Sequence, residues 1–130
     1  MIGLDTSAII DLFKEDPSLM SLLKEMEDIV ALNQISYLEL MFGLDPENKK
    51  HKLEEEYYDA LFNSYQVLPL DFFSCKEASK IFSRLKKAGK MIDPFDCTIA
   101  AIFLSNKVNT VITKNVKHFS NIPGLKVIKY

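Results

Sequence analysis

Three acidic residues lie where this chain of 130 residues is predicted to change from one element to the next. Asp5 follows the apolar run Ile2–Leu4, Glu39 lies near a helix start, and Asp96 lies in the first turn of an apolar helix. The amide Asn115 follows a β-branched run. In a parallel α/β sheet, strand ends and helix starts converge at one edge. Carboxylates brought together there repel one another, which raises their pKa values or requires a cation.

Such a group of carboxylates predicts metal-dependent chemistry on a phosphate. Hard oxygen ligands suit Mg²⁺ or Mn²⁺, which keep several waters and share phosphate oxygens with the substrate. A metal held in this way activates a water and offsets charge on the transferring phosphate. The sequence therefore predicts a phosphodiester-hydrolysing site that is built around Asp5, Glu39 and Asp96.

Each acid also has a purely structural interpretation. Asp5 could cap the next turn, but Thr6 and Ser7 beside it could cap the helix Ala8–Phe13 instead. Glu39 ends an S-x-x-E sequence that is typical of a capping box, in which Ser36 would be the N-cap.

The apolar helix has its own capping signal. Asp93 precedes Pro94 and has N-cap chemistry, whereas Asp96 suits the positive end of the helix dipole. The stretch Ile99–Leu104 is apolar nearly all round, so this helix should be largely buried. An acid beside a buried helix needs a further reason, because an unpaired buried carboxylate is costly.

Alternating strands and helices predict the fold that would position these acids. A 3.6-residue apolar period and capping signals predict helices at Ala8–Phe13, Leu19–Glu27, from Ser36 onward, Leu53–Asn63, Ser74–Ala88 and from Pro94 onward. Short β-branched or apolar runs predict strands at Ile2–Leu4, Ile29–Leu32, Tyr65–Leu70, Thr110–Thr113 and Lys126–Lys129. Strands separated by helices predict an α/β fold. We expect one domain over residues 1–130, with a mostly parallel sheet of about four to five strands flanked by helices.

Composition narrows the function classes. A hydrophobic content of 48% and a net charge of −2 are typical of a globular protein without a global basic field. Cys75 and Cys97 have no metal-ligand spacing, and we expect both to be reduced core residues of a cytosolic protein. We see neither a signal peptide nor an apolar run near the ~20 residues that span a membrane, which predicts a cytoplasmic location and no membrane partner.

Four motifs resemble one protein family in order and spacing. They are LDTSAII at 4–10, SYLELMFG at 36–43, IDPFDCTIAA at 92–101 and VITKNVKHFSNIPGLKVI at 111–128. With these motifs the sequence resembles the PIN-domain ribonucleases, and specifically the VapC-type toxins of VapBC toxin–antitoxin pairs. The resemblance extends over nearly the whole chain.

The resemblance implies roles for single residues. Asp5, Glu39 and Asp96 match the family's metal-binding acids, and Asn115 stands where many members have a fourth acid. Hydroxyl support around the acids would come from Thr6, Ser7 and Thr113. The implied cofactor is Mg²⁺ or Mn²⁺, and the implied reaction is endonucleolytic cleavage of RNA that leaves a 5′-phosphate and a 3′-hydroxyl.

The resemblance also implies partners, which are the RNA substrate, a VapB-type antitoxin that covers the groove, and a second copy of the chain in a homodimer. We expect the RNA backbone to contact lysines through phosphate charge, and the candidates are Lys86, Lys87, Lys90, Lys114 and Lys117.

Other function classes fit less well. A non-catalytic PIN-like module that binds RNA or a protein is favoured only by the amide at Asn115. A haloacid-dehalogenase-type enzyme needs an acid two residues after the first aspartate, and that position is Ser7. A dinucleotide-binding fold needs a glycine fingerprint after the first strand, which this chain lacks.

Overall fold

Five short strands form one sheet, and seven helices connect them. A computed structural model describes residues 1–130. The strands are β1 (Ile2–Leu4), β2 (Val30–Asn33), β3 (Gln66–Leu68), β4 (Thr110–Ile112) and β5 (Lys126–Ile128). The helices are α1 (Thr6–Phe13), α2 (Pro17–Met26), α3 (Gln34–Phe42), α4 (Lys49–Asn63), α5 (Phe72–Lys87), α6 (Pro94–Ser105) and α7 (Val116–Phe119).

The strand order is β3-β2-β1-β4-β5, and all four strand pairs are parallel. The predicted α/β class and flanking helices are confirmed, and the sheet is parallel throughout. Because β1 pairs with β2 on one side and β4 on the other, the chain leaves β1 at the point where the strand order reverses. In open α/β sheets, binding sites form in the crevice at the carboxyl ends of the strands at such a point. Asp5 is the first residue beyond that end of β1.

Two hydrophobic cores cover the two faces of the sheet. Side chains alternate along each strand, so Ile2 and Leu4 pack into one core with α1, α2 and α4, while Val111 packs into the other with α5 and α6. Gly3 faces the second core, where a Cβ atom would lie 2.6 Å from Cζ of the buried Phe103 ring. Glycine at this position therefore lets α6 lie directly against β1.

The N-caps of α1 and α3 differ from the sequence predictions. Asp5 itself caps α1 by accepting a hydrogen bond from the Ala8 N–H, so the prediction that Thr6 and Ser7 cap this helix is wrong. Asn33 caps α3, which places Ser36 and Glu39 inside the helix. The predicted Ser36–Glu39 capping box is therefore also wrong, because the helix begins earlier than the S-x-x-E pattern suggests.

The remaining helix starts also precede their predicted positions or agree with them. A capping box lies instead at Asp71 and Ser74, at the start of α5. The helix α4 begins at Lys49, so it includes the basic residues that precede the predicted start at Leu53. Asp93 caps α6 through the N–H of Phe95, as predicted.

The two cysteines lie in different surroundings. Cys97 is buried in α6, as expected of a core thiol, but Cys75 is exposed on α5, so the core prediction is wrong for that residue. Cys75 lies on the outward side of this amphipathic helix, where Phe72, Phe73 and Lys76 are also exposed. None of the helices combines the length and apolar composition needed to cross a membrane.

Candidate active site

Asp5 is the most buried of the three acids, with 1% of its surface exposed. One oxygen, Oδ1, accepts hydrogen bonds from Ser7 Oγ at 2.8 Å and from the Ala8 N–H at 3.0 Å. The other oxygen, Oδ2, accepts a hydrogen bond from Thr113 Oγ1 at 2.5 Å. Both oxygens of a carboxylate that solvent barely reaches are therefore held by donors from α1 and from the end of β4.

Backbone groups orient these two hydroxyls. The Lys114 N–H donates to Ser7 Oγ at 3.1 Å, and the Asn115 N–H donates to Thr113 Oγ1 at 2.8 Å. Since each hydroxyl oxygen accepts from a backbone N–H, its own hydrogen is free to point at Asp5. Burial nevertheless raises the pKa of Asp5, the Thr113, Ala8 and Ser7 donors lower it, and the charge of Asp96 raises it further.

Glu39 lies in the middle of α3 and is half-buried. Its Oε1 atom accepts a hydrogen bond from Thr6 Oγ1 at 2.8 Å. Burial raises the pKa of Glu39, the Thr6 donor lowers it, and the charges of Asp96, Asp93 and Asp5 raise it. The other oxygen, Oε2, accepts no hydrogen bond from the protein. A carboxylate oxygen of Glu39 therefore remains available to a ligand.

Asp96 lies in the first turn of α6, and 13% of its side chain is exposed. Nδ1 of His118, on α7, lies 2.6 Å from Asp96 Oδ2. Burial raises the pKa of Asp96, whereas the hydrogen bond and charge of His118 lower it. The sequence analysis used His118 only as part of a family motif and gave it no role. The signal that could have suggested one is its position in the polar segment that follows Asn115.

The three acids lie close enough for their charges to interact, but they do not form a preformed metal site with three converging ligands. Asp96 raises the pKa values of both Asp5 and Glu39, so the three carboxylates share one region of negative potential. No group of three or more His, Cys, Asp or Glu side chains lies close enough together to hold a metal ion. The side chain of Asn115 makes no capping hydrogen bond to α7. Asn115 contributes its backbone N–H, through Thr113, to the surroundings of Asp5.

The donor set nevertheless fits a hard divalent cation. Burial disfavours the ionised form of all three acids, and a nearby cation would favour it. In many proteins Mg²⁺ is bound by only one or two carboxylates, and waters and substrate phosphates complete its coordination. The available oxygens of Glu39 and Asp96 meet that requirement without a closed cage.

The predicted lysines divide into two groups. Lys114 and Lys117 line a surface depression of about 290 Å³ together with Asn115, His118 and Lys129. Within it the Lys114 ammonium lies 2.6 Å from the carboxylate of buried Asp11, so its charge is already paired. The second group lies on the last turn of α5 and just beyond it, and its members are Lys86, Lys87 and Lys90. All three are exposed and form no ion pair with the acids.

Comparisons with known proteins find similar proteins over nearly the whole chain. A family model described as "PIN domain" matches residues 2–125. Ribonuclease VapC1 of Methanocaldococcus jannaschii is 30% identical over an alignment of 130 positions, which covers 97% of this chain and 85% of that protein. A chain in the 2.2 Å resolution structure of VapBC-1 from nontypeable Haemophilus influenzae is 29% identical with a TM-score of 0.80, and the match covers 99% of this chain and 98% of that one.

A second solved structure shares the fold alone. It is the crystal structure of VapBC2 from Rickettsia felis bound to a DNA fragment from the VapBC2 promoter, with a TM-score of 0.85 at 22% identity. The match covers 100% of this chain and 99% of that one. The strand order and helix arrangement described above are therefore those of a known structural group over the full length of the chain.

Proposed function

The chain belongs to the PIN-domain family, and on this premise we propose that it is a metal-dependent endoribonuclease, the toxin of a VapBC-type toxin–antitoxin pair. The observation that carries the proposal is the geometry around the carboxyl end of β1. Asp5, which caps α1, interacts electrostatically there with Glu39 of α3 and Asp96 of α6, and each acid accepts a hydrogen bond from a separate side chain. A purely structural domain has no need to keep three such carboxylates together.

The acids Asp5, Glu39 and Asp96 would hold Mg²⁺ or Mn²⁺. When bound, the metal would activate a water and offset the negative charge of the RNA phosphate. The chain's own contribution is to fix the ligands: Thr113 and Ser7 hold Asp5, Thr6 holds Glu39, and His118 holds Asp96. Hydrogen-bonded partners of this kind orient metal ligands and tune their affinity.

RNA would approach over the depression that lies next to Asp96. Lys117 and Lys129 are exposed there and are free to contact backbone phosphates. Lys114 is a weaker candidate than the sequence suggested, because Asp11 pairs with it. The exposed lysines at the end of α5 and just beyond it remain predicted phosphate contacts, namely Lys86, Lys87 and Lys90.

A VapB-type antitoxin is the proposed protein partner, since the structural relatives named above are VapBC complexes. A depression of about 440 Å³ beside α3 supports a protein partner, and its lining is mainly apolar, namely Gln34, Ile35, Tyr37, Leu38, Met41 and Leu70. Exposed apolar surface of this kind is typical of protein contacts. Formation of a homodimer stays a prediction.

Cleavage of total cellular RNA tests the proposal. Wild-type protein, purified free of antitoxin, is incubated with RNA and Mn²⁺ or Mg²⁺, and new 5′ ends are mapped. The Asp96→Asn variant should lose the metal-dependent cuts, because it removes one of the three carboxylates. Asp93→Asn is the matched control, since asparagine also caps helices and the same charge is removed three residues away. That control should still cleave.

Absence of cleavage by the wild-type protein, together with absence of Mn²⁺ binding, would refute the nuclease. The alternative is then a non-catalytic module that binds RNA or protein through the same surface. Asn115 in place of a fourth acid is the residue that would fit it.

A further inference from the structure

Two fully buried polar side chains lie where β2 leads into α3, and neither forms a hydrogen bond with any of the three acids. Asn33 ends the strand, and Ser36 lies in the first turn of the helix. Asn33 and Ser36 are each 0% exposed. Asn33 Oδ1 accepts a hydrogen bond from the Ser36 N–H at 2.8 Å, which is the helix cap. Asn33 Nδ2 donates to Leu4 O at 3.2 Å and to Ser36 Oγ at 3.0 Å. Since Oδ1 is fixed as an acceptor, the amide can adopt only one orientation.

The Ser36 hydroxyl continues this network towards the acids. Ser36 Oγ lies 2.8 Å from Thr6 Oγ1, and Thr6 Oγ1 donates to Glu39 Oε1 at 2.8 Å. An amide nitrogen can only donate, and an ionised carboxylate can only accept. The two hydroxyls between them must therefore each accept on one side and donate on the other. The direction is Asn33 to Ser36 to Thr6 to Glu39.

Helix capping does not explain this use of the Ser36 hydroxyl. Ser74 occupies the same third position in α5, is equally buried, and shows what a capping hydroxyl does. Its Oγ accepts from the Asp71 N–H at 2.9 Å and donates back to Asp71 Oδ1 at 2.8 Å. Ser36 makes no such return contact, and its hydroxyl crosses to α1 instead.

We propose that Asn33 and Ser36 are positioning residues for Glu39, acting through a one-way hydrogen-bond relay that passes through Thr6. The relay ends at Oε1 and holds the carboxylate so that Oε2 is left for the metal. This inference rests on the proposed function, because it assigns Glu39 to the metal site. It predicts that a buried serine without any contact to ligand or substrate controls metal affinity.

Titration calorimetry with Mn²⁺ on the protein without RNA measures this directly. Ser36→Ala removes the link between Asn33 and Thr6, while the Asn33 cap and its bond to Leu4 remain. Thr6→Val removes the last donor, and Thr6→Ser keeps it. We expect Ser36→Ala and Thr6→Val each to weaken Mn²⁺ binding about tenfold, the lower end of the effect of such outer partners. Thr6→Ser should stay within about twofold of wild type.

The double variant is the decisive measurement. If Ser36 acts only through Thr6, Ser36→Ala should weaken binding no further once Thr6 is valine. The matched control is Ser74→Ala, which removes a buried hydroxyl at the same helical position and should leave Mn²⁺ affinity unchanged. Ser36→Cys replaces the hydroxyl by a slightly larger thiol, which is only a weak donor, and it should also weaken Mn²⁺ binding. It provides the test if the alanine variant fails to fold.

Two results would overturn the inference while leaving the proposed function in place. One is a Ser36→Ala protein that binds Mn²⁺ as tightly as wild type, and the other is independent, multiplying effects of Ser36→Ala and Thr6→Val. In both cases wild type would bind Mn²⁺ and Asp96→Asn would not. Failure of the wild type itself to bind Mn²⁺ would instead overturn the metal site, and this inference with it.

Discussion

Replacing Thr113 by valine should destabilise the protein in a way that depends on pH. Thr113 is 0% exposed, and its hydroxyl donates to Asp5 Oδ2 at 2.5 Å. Valine has nearly the same shape, so the substitution removes the donor without opening a large cavity. A hydrogen bond to a charged group contributes roughly 1.5–3 kcal/mol, and this is the loss of unfolding free energy we expect at neutral pH. The Asn115 N–H also loses its acceptor in this variant.

The pH dependence follows from the direction of the pKa shift. Burial holds the pKa of Asp5 above its ordinary value of 3.8, although the Thr113, Ala8 and Ser7 donors lower it. A carboxyl with a raised pKa in the folded state contributes stability below its ordinary pKa and loses it as pH rises through the folded value. Without the Thr113 donor the pKa rises further, so the difference between variant and wild type should grow as pH rises. It should be small where Asp5 is protonated in both proteins.

Urea unfolding at about pH 3.5 and about pH 7.5, with a chelator present, measures both values. The control is Thr98→Val on α6, because the Thr98 hydroxyl donates to the neutral carbonyl of Pro94 at 2.8 Å. Its effect should not change with pH. Equal destabilisation of the Thr113 variant at both pH values would refute the argument that this hydroxyl acts on the ionised form of Asp5. A loss below about 0.5 kcal/mol at neutral pH, the usual size of a surface effect, would refute it too.

Three further predictions address packing, metal binding and RNA binding. Gly3→Ala should lower the unfolding free energy by about 1–3 kcal/mol in urea titrations, because its Cβ would lie 2.6 Å from the Phe103 ring. An alanine variant as stable as wild type would contradict that close approach. His118→Ala should weaken Mn²⁺ binding and RNA cleavage about tenfold with an unchanged circular dichroism spectrum, since Asp96 loses its donor. Unaltered Mn²⁺ affinity would show that Asp96 needs no such partner. Lys117→Ala should reduce the salt dependence of RNA affinity by about one unit of slope, and an unchanged slope would exclude a phosphate contact.

Much of the fold could be predicted from local sequence patterns. The alternation of β-branched runs with amphipathic helices gave the five strands and the α/β class, and Gly89 ends α5 with a positive φ of 68°. Strand order was beyond such reasoning, because it depends on which strands pair across the chain. The cap of α3 was misplaced because S-x-x-E is a local pattern, whereas Asn33 is fixed by a bond to Leu4, 29 residues away.

The site was predictable only in part, for the same reason. Asp5 and Asp96 could be singled out because each lies at the start of a helix, whereas Glu39 was placed near a helix start although it lies in the middle of α3. The resemblance implied their roles. Their donors could not be assigned, since Thr113 and Asp5 are 108 residues apart and His118 and Asp96 are 22 apart. The side chain of Lys114 pairs with Asp11, which no local pattern indicates.

The three acids Asp5, Glu39 and Asp96 are held by hydroxyl and imidazole donors and not by lysines. The hydroxyls and the imidazole each form one hydrogen bond with a carboxylate and so orient it. Burial still raises the pKa values of all three acids. A lysine would have stabilised the ionised form more strongly, and Lys114 directly follows the Thr113 donor. Its ammonium is instead paired with Asp11 at 2.6 Å. No lysine is therefore paired with Asp5, and a divalent cation could offset the negative charge of its ionised form.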